Sequence, residues 1–348
     1  MLLKSLSLQN FRSYTKAEFA FDKDATFIVG PNTSGKTNLI EAIYLLAIGG
    51  SFRAEKDVEM IAFGKDIGRA IGVVESNGNQ TKLEVVLRED AFKKYTVNGI
   101  ARRRADFAGH LVAVLFSPLD LDIIVGSPSL RRRFLNDVLE QVDREYRVAH
   151  TAYVKGLRQR NALLEEAREL GRRDEKRFEY WDELLIEHGQ VLTKKREGLI
   201  SYCNKEEKEI FPFEAFYDKS IVSKERLLQY KEAEVGAGIT LVGPHRDDFS
   251  IHMFNNKNNA THDVKLFGSR GQQRLAILQL KLLTLTFIEQ MIGERPILLL
   301  DDIFSELDNE HIHHVLQLIN KQQTILTTTH EEFIEKSLRK EMDVIKLS

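Results

Sequence analysis

The chain holds 348 residues, room for about two domains at roughly 150 residues each. Hydrophobic residues make up 43% and charged residues 29%, ordinary globular usage that excludes a wholly disordered or fibrous chain. Fifty Lys and Arg against 52 Asp and Glu give a formal charge of −2. A uniformly basic nucleic-acid module is thereby excluded, and any such contact must come from local patches. No apolar run approaches the ~18 residues of a membrane span, and Met1-Leu2-Leu3-Lys4-Ser5 passes at once into alternating polar residues, unlike a secretory leader. The one cysteine, Cys203, has no partner for an intrachain disulfide and no Cys/His metal spacing around it. These features predict a cytosolic protein with no membrane partner.

In chain order, Leu2, Leu6 and Leu8, then Phe19 and Phe21, alternate as strands do, and Thr26-Phe27-Ile28-Val29 is a short apolar strand running into glycine. Asn38 to Ile48 reads as a buried helix closed by Gly49-Gly50. Strands follow at Ala70–Glu75, Lys82–Leu87 and Tyr95–Val97, parted by turns at Asn77-Gly78-Asn79 and Asn98-Gly99. The character then changes, with 18 basic and 17 acidic residues between Arg131 and Ile210. Leu135, Leu139, Val142, Tyr146, Ala149 and Tyr153 recur at the four-three spacing of one long helix face. After a charged break at Gly171-Arg172-Arg173-Asp174 a second series runs through Phe178, Trp181, Leu185, His188 and Leu192. Two antiparallel helices forming an arm are the simplest reading. From about Glu234 a mixed α/β pattern returns: a helix at Gly271–Ile292, a buried strand at Ile297–Leu300, a helix at Asn309–Lys321, a strand at Thr324–Thr327, a short helix from Glu331 and a last strand at Val344–Leu347.

Chemistry enters at Gly30-Pro31-Asn32-Thr33-Ser34-Gly35-Lys36-Thr37, which fits the phosphate-binding pattern G-x-x-x-x-G-K-[ST] between a strand and a helix. Its glycines let backbone N–H groups converge on phosphates, Lys36 reaches the β- and γ-phosphates, and the Thr37 hydroxyl ligates Mg²⁺. Ile297-Leu298-Leu299-Leu300-Asp301-Asp302 supplies the matching apolar strand, with Asp301 for the Mg²⁺ and Asp302 beside the attacking water. Ser269-Arg270-Gly271-Gln272-Gln273-Arg274 opens a helix where ATPases of the ABC type carry their signature segment. There Ser269, Gly271 and Gln272 would face the γ-phosphate of ATP held by another subunit. Ser305-Glu306-Leu307-Asp308 follows in the place of a D-loop, and His330 in the place of the switch histidine.

The phosphate loop lies at 30–37 and every other motif after 268. A long segment therefore separates two halves of one site, the split-head layout of DNA-repair and chromosome-organising ATPases. A membrane transporter's ATPase subunit would have a much shorter gap, and a chromosome organiser arms several times longer. Only 18 residues follow His330, too few for a fused nuclease. Arg102-Arg103-Arg104, Arg131-Arg132-Arg133, Arg172-Arg173 and Lys194-Lys195-Arg196 are local basic clusters of the kind phosphate contacts need, or else solvated helix faces, the reading that the acidic neighbours Asp174-Glu175 support for Arg172-Arg173.

The chain resembles the RecF family of bacterial recombination mediators. The likeness rests on Asn10-Phe11-Arg12-Ser13-Tyr14, on Gly35-Lys36-Thr37-Asn38 with Glu41-Ala42-Ile43, and on Ser51-Phe52-Arg53. Two further segments carry the specific match: Phe116-Ser117-Pro118 through Gly126-Ser127-Pro128 to Arg131-Arg132-Arg133-Phe134-Leu135, and Gly243-Pro244-His245-Arg246-Asp247-Asp248. Thr33 departs from the family's usual glycine, Leu119 from an acidic residue and Asn136 from an aspartate. The resemblance implies an α/β fold, an ABC-type ATPase head of residues 1–125 and 235–348 with a short helical arm, 126–234, inserted. It further implies an ATP- and Mg²⁺-dependent homodimer that hydrolyses ATP slowly and clamps double-stranded DNA next to single-stranded gaps. Its partners would be RecR and RecO, and RecA indirectly. Arg102, Arg103, Arg104, Arg131 and Arg132 are the expected DNA contacts. A divergent short-armed SMC-like repair ATPase with another partner is the alternative.

Overall fold

The computed structural model describes residues 1–22, 24–255, 260–303, 321–329 and 342–347. The expected helices at 309–321 and from Glu331, the Ser305–Asp308 segment and His330 lie outside the described residues. The elements run β1 (Leu2–Phe11), β2 (Tyr14–Ala20), β3 (Ala25–Val29), α1 (Lys36–Ile48), β4 (Ile67–Ser76), β5 (Asn79–Arg88), β6 (Lys93–Val97), β7 (Ile100–Arg102), α2 (Arg104–Phe107) and β8 (Ala113–Phe116). Next come α3 (Leu121–Val125), α4 (Pro128–Val142), α5 (Arg144–Leu170), α6 (Glu175–Lys205), β9 (Phe213–Asp218), α7 (Lys224–Gln229), α8 (Lys231–Ala237), β10 (Asp248–Asn255), β11 (Ala260–Asp263), α9 (Val264–Phe267) and α10 (Arg270–Ile292). The last are β12 (Ile297–Asp301), β13 (Thr324–Thr328) and β14 (Asp343–Lys346). They form two compact units, Met1–Asp120 with Thr284–Ser348, and Leu121–Leu283.

In the first unit a five-stranded parallel sheet has the order β14-β3-β13-β12-β8, and a six-stranded antiparallel sheet the order β2-β1-β4-β5-β6-β7. Strands β3, β12 and β13 are buried along their whole length, which is why they read as runs of apolar and β-branched residues, closed by Asp301 in β12, and not as alternation. Helix α1 packs against strands of both sheets, and 11 of its 13 residues are buried. Ile40, Ile43 and Ile48 are only middling helix formers, but burying each contributes about 1.5–3 kcal/mol, so packing holds α1 helical. The alternation expected for β1 is corrected at its start. A register shift between Leu3 and Ser5 turns Leu3 into the core in place of Leu2, ahead of Leu6 and Leu8.

In the second unit α5 and α6 pair antiparallel, as contacts running from Tyr146–Arg196 to Glu166–Arg177 require. Gly171, left-handed at φ +65°, ends α5, and Asp174 caps α6 by accepting from Lys176 N. The single long helix expected from Leu135 to Tyr153 is in fact two. Asp143 leaves the helical region and its carboxylate accepts from Tyr146 N, so α4 stops and α5 begins there. The sheet β11-β10-β9 belongs to this unit, with β10 packed on α4. The second boundary between the units therefore falls at Leu283/Thr284, well after the expected 234/235.

Helix α10 corrects one more expectation, since by length and composition it could cross a membrane. Its sequence is apolar because it is a core helix: Ala276, Leu278, Leu280 and Ile288 are buried inside the protein.

Candidate functional site

The phosphate loop, residues 30–37, runs from the end of β3 into α1. A Cβ on Gly30 would lie 2.6 Å from Ser34 Oγ and 2.7 Å from the Leu347 carbonyl oxygen. Gly35 has φ +97°, and a Cβ there would lie 2.9 Å from Ser13 Oγ. Both positions thus need glycine on local grounds. Tyr14 OH donates to Gly35 O at 3.1 Å, and burial pushes that phenol up to about 12. Thr33 has φ +74°, a conformation that β-branched residues rarely take.

Lys36 is buried, and its Nζ donates to Gly30 O at 2.8 Å and Pro31 O at 2.9 Å. Burial lowers its pKa, and the nearby Asp302 and Asp301 partly restore it. Ser34 Oγ is buried with no hydrogen-bond partner among the described residues. The first N–H groups of α1 have no intrahelical acceptor. A pre-curled loop, an ammonium, an orphaned hydroxyl and a helix N-terminus together fit a phosphate chain.

Strand β12 delivers Asp301 to the same place. Its Oδ1 accepts from Thr37 Oγ1 at 3.1 Å and from Thr327 Oγ1 at 2.7 Å. Burial raises its pKa, against these two hydrogen bonds. A hydroxyl and a carboxylate converging within 3.1 Å are the oxygen donors that suit Mg²⁺. Asp302 turns away from the strand at φ +50°, its N–H held by Thr327 Oγ1 at 3.0 Å. Thr327, on β13 next to β12, is thus a positioning residue that no motif marks.

Three segments distant in sequence meet at one buried carboxylate beside this loop. Glu41 accepts from Arg12 at 2.7 and 2.8 Å, from Arg53 at 2.8 and 3.1 Å, and from Ser51 Oγ. Arg53 also donates to Asn38 Oδ1, whose amide donates to Ser13 Oγ at 2.7 Å. Desolvation opposes the charge on Glu41, but these hydrogen bonds win and its pKa lies below the usual carboxylate range. The Asn10–Tyr14 and Ser51–Arg53 segments thereby hold α1, and with it Lys36 and Thr37.

In the second unit Ser269 and Gln272 form a reciprocal cap at the start of α10: Gln272 N donates to Ser269 Oγ at 3.2 Å and Ser269 N to Gln272 Oε1 at 2.9 Å. Gly271 is exposed with no neighbour closer than 3.9 Å to a Cβ built there.

The basic clusters separate by environment. Arg102 and Arg103 are exposed, while Arg104 donates to Ile48 O at 3.1 Å and caps the end of α1. Arg131 as a DNA contact is corrected. Its side chain is buried, its fork is spent on Asp248 at 2.6 and 3.0 Å, and Nη1 donates to Gly126 O at 3.0 Å. Arg132 also turns inward, donating to Asp247 O at 2.8 Å, and burial lowers its pKa.

The Gly243–Asp248 segment is a structural knot. Asp247, fully buried, accepts from Arg196 at 2.9 Å, from Ser220 N at 2.7 Å and from Tyr217 OH. Arg196 also donates to Pro244 O at 2.7 Å, Tyr146 OH at 2.9 Å and Asn136 Oδ1 at 2.9 Å. His245 accepts from Tyr153 OH at 2.8 Å and faces Thr240 O at 3.0 Å; burial lowers it to about 4.

The model of the RecF/RecN/SMC N-terminal domain matches residues 2–347. The chain is 38% identical to the DNA replication and repair protein RecF of Ligilactobacillus salivarius over 351 residues, which cover 94% of this chain and 91% of that protein. The chain belongs to the RecF family. The RecF of Oceanobacillus iheyensis is 34% identical over 371 residues, covering all of this chain and 99% of that protein. The solved recombination mediator RecF-ATP of the RecFOR pathway superposes with a TM-score of 0.87 at 31% identity, covering 96% of this chain and 93% of that one. A SmcHead structure at 17% identity and TM-score 0.53 shares the fold, covering 95% of this chain and 90% of that one. The fold is therefore that of the RecF and SMC heads, an ABC-type ATPase head.

Proposed function

We propose that this RecF-family chain is an ATP-dependent recombination mediator of gap repair. The observation that carries the reading is the convergence of Lys36, Thr37 and Asp301 around a loop shaped for phosphates. Gly30 to Thr37 cradle the ATP phosphates through backbone N–H groups, and Lys36 leaves its carbonyl partners to meet the β- and γ-phosphates. Thr37 and Asp301 would hold Mg²⁺, which neutralises charge on the phosphate oxygens when bound. Ser269, Gly271 and Gln272 of a second copy close over the nucleotide, so that ATP is the cement of a homodimer. His330 contacts the γ-phosphate. Asp302 orients the attacking water, and its short side chain makes hydrolysis slow, fit for a switch that releases DNA. The dimer clamps duplex DNA near single-strand gaps through Arg102 and Arg103, acts in the cytoplasm with RecR and RecO, and promotes RecA loading, replication maintenance and the SOS response.

The test is mass by light scattering with and without ATP and gapped duplex DNA, for wild type and Lys36→Met. A monomer that dimerises and binds DNA only with ATP, and does neither as Lys36→Met, supports the clamp. Dimerisation or DNA binding indifferent to ATP sinks it and favours the divergent repair ATPase.

A further inference from the structure

The three-stranded sheet β11-β10-β9 of the second unit is covered on one side only. Phe213 and Ala215 of β9 and Phe249 and Ile251 of β10 are buried, and α6 and α4 pack on these strands. Side chains alternate along a strand, and residues paired across an antiparallel ladder share a face. The register pairs Phe216 with Ser250, Glu214 with His252, and His252 with Asp263. It therefore collects Glu214, Phe216 and Asp218 of β9, His252 and Phe254 of β10 and Asp263 of β11 on the other face, where none of them is buried. Phe216 is 44% exposed and Phe254 55%. A solvated sheet face is ordinarily polar, so two open phenylalanines on it mark a contact surface. The His252 ring meets Phe216 edge-on, 4.6 Å between centroids, and its Nε2 lies 2.9 Å from Ser250 Oγ, which fixes the pair.

The open face is also acidic, and its charge is not balanced. Glu214 and Asp218 stand two residues to either side of Phe216, and Asp263 lies across His252 from Glu214. None of the three enters an ion pair among the described residues. Asp248, at the head of the same face, is by contrast spent on Arg131. The described cations nearest in sequence are committed elsewhere. Lys208 donates to Asn204 O at 3.1 Å and Glu206 O at 3.0 Å and lies over the Phe213 ring of the covered face. Lys219 pairs with Glu197 at 2.7 Å, and Lys265 donates to Gly126 O at 3.0 Å.

We propose that this face docks a partner protein through an arginine laid on the Phe216 ring between Glu214 and Asp218, with an apolar side chain of the same extended segment against Phe254. The face of an aromatic ring attracts a cation, and carboxylates about 7 Å to either side along the strand complement its charge. A guanidinium can stack on the ring and pair with a carboxylate at once, which an ammonium cannot. Phe254 lies four residues beyond Ser250, the partner of Phe216, or about 13 Å along β10. An arginine and an apolar residue four positions apart in an extended chain span the same length. Nucleic acid fits poorly, because the three carboxylates repel phosphates. Strand β9 is at the edge of its sheet, so the stripe is open from the side as well as from above. The contact needs no nucleotide.

The test uses the full chain with 4-fluorophenylalanine in place of Phe216 and follows its ¹⁹F signal, without nucleotide. The probe is the acetylated and amidated pentapeptide arginyl-seryl-threonyl-seryl-leucine. The expected result is a saturable shift in the millimolar range, at least tenfold weaker binding when citrulline replaces the arginine, and no saturable shift with a short duplex DNA. Glu214→Gln combined with Asp218→Asn should weaken the peptide at least fivefold, and Phe254→Ser at least threefold, with ATP turnover unchanged in both. If either variant fails to fold, the citrulline comparison decides, since it leaves Glu214, Asp218 and Phe254 in place. No shift with the arginine peptide, equal binding of the citrulline peptide, or a folded double variant that binds like the parent overturns the proposal. So does a saturable shift with the duplex, which would make this a nucleic-acid surface, or a signal that follows chain concentration without peptide, which would make it a contact between copies.

Discussion

Asp247→Asn tests whether the Gly243–Asp248 segment is held by charge or by shape. In the wild type Arg196 is 3% exposed and Asp247 not at all. The other acceptors of Arg196 are a backbone carbonyl, a tyrosine hydroxyl and the amide oxygen of Asn136, so Asp247 is the one carboxylate among its described hydrogen-bond partners. The asparagine keeps the shape but leaves the guanidinium buried and unbalanced. Breaking a buried pair from one side costs about 3–5 kcal/mol. Urea unfolding followed by the fluorescence of Trp181, which belongs to the same unit, should show that loss with an unchanged slope. Asn136 supplies the internal control. Its Oδ1 already lies 2.9 Å from Arg196 Nη2, so Asn136→Asp places a carboxylate on the same cation. The double variant should recover about half of the loss or more, giving a coupling energy of about 2 kcal/mol. A loss under about 1 kcal/mol, or no recovery in the double variant, would refute the charge argument.

Thr33→Gly should raise the stability of the first unit by about 0.5–1 kcal/mol, since relief of the left-handed strain outweighs glycine's entropy; a destabilised variant in thermal unfolding counts against the strain. His245 sets a pH dependence. Its folded pKa of about 4 lies below the ordinary ~6.5, so the unfolded chain binds more protons between those values. Stability is full above pH 6.5 and falls by about 3 kcal/mol as pH drops to 4, and His245→Gln should lose that slope; an unchanged slope refutes the assignment. Asp302→Glu should raise the single-turnover rate of ATP hydrolysis, and a rate no faster than wild type removes side-chain reach as the reason for slowness. Arg103→Glu should lower duplex affinity and flatten its salt dependence by about one counterion. Arg131→Met should instead cost stability, about 2 kcal/mol given that Asp248 is 31% exposed; the reverse pattern would restore Arg131 as a contact.

The site residues divide by how local their cause is. Gly30, Gly35, Lys36 and Thr37 are legible because one strand-turn-helix unit fixes them, and the buried strand before Asp301 reads as an apolar run ending in a carboxylate. Thr327 was not legible, because a threonine in a buried strand looks like any β-branched residue until β13 is placed beside β12. The role of Glu41 is not legible in sequence, since its partners come from residues 12, 51 and 53.

Periodicity and turn residues determined α1, the antiparallel pair α5 and α6, α10 and the buried strands, because each follows from contacts within a few residues or from burial on all sides. The break at Asp143 is not legible in sequence because apolar spacing continues across it while a side-chain cap, invisible to spacing, separates the two helices. The fate of the arginines was decided by tertiary structure alone. Arg102, Arg103 and Arg131 read alike as clustered cations, yet Arg131 finds Asp248 across 117 residues and is drawn inside. A charge in sequence does not say whether its partner is water or a carboxylate. Folding decides that by the desolvation it imposes and the partner it supplies.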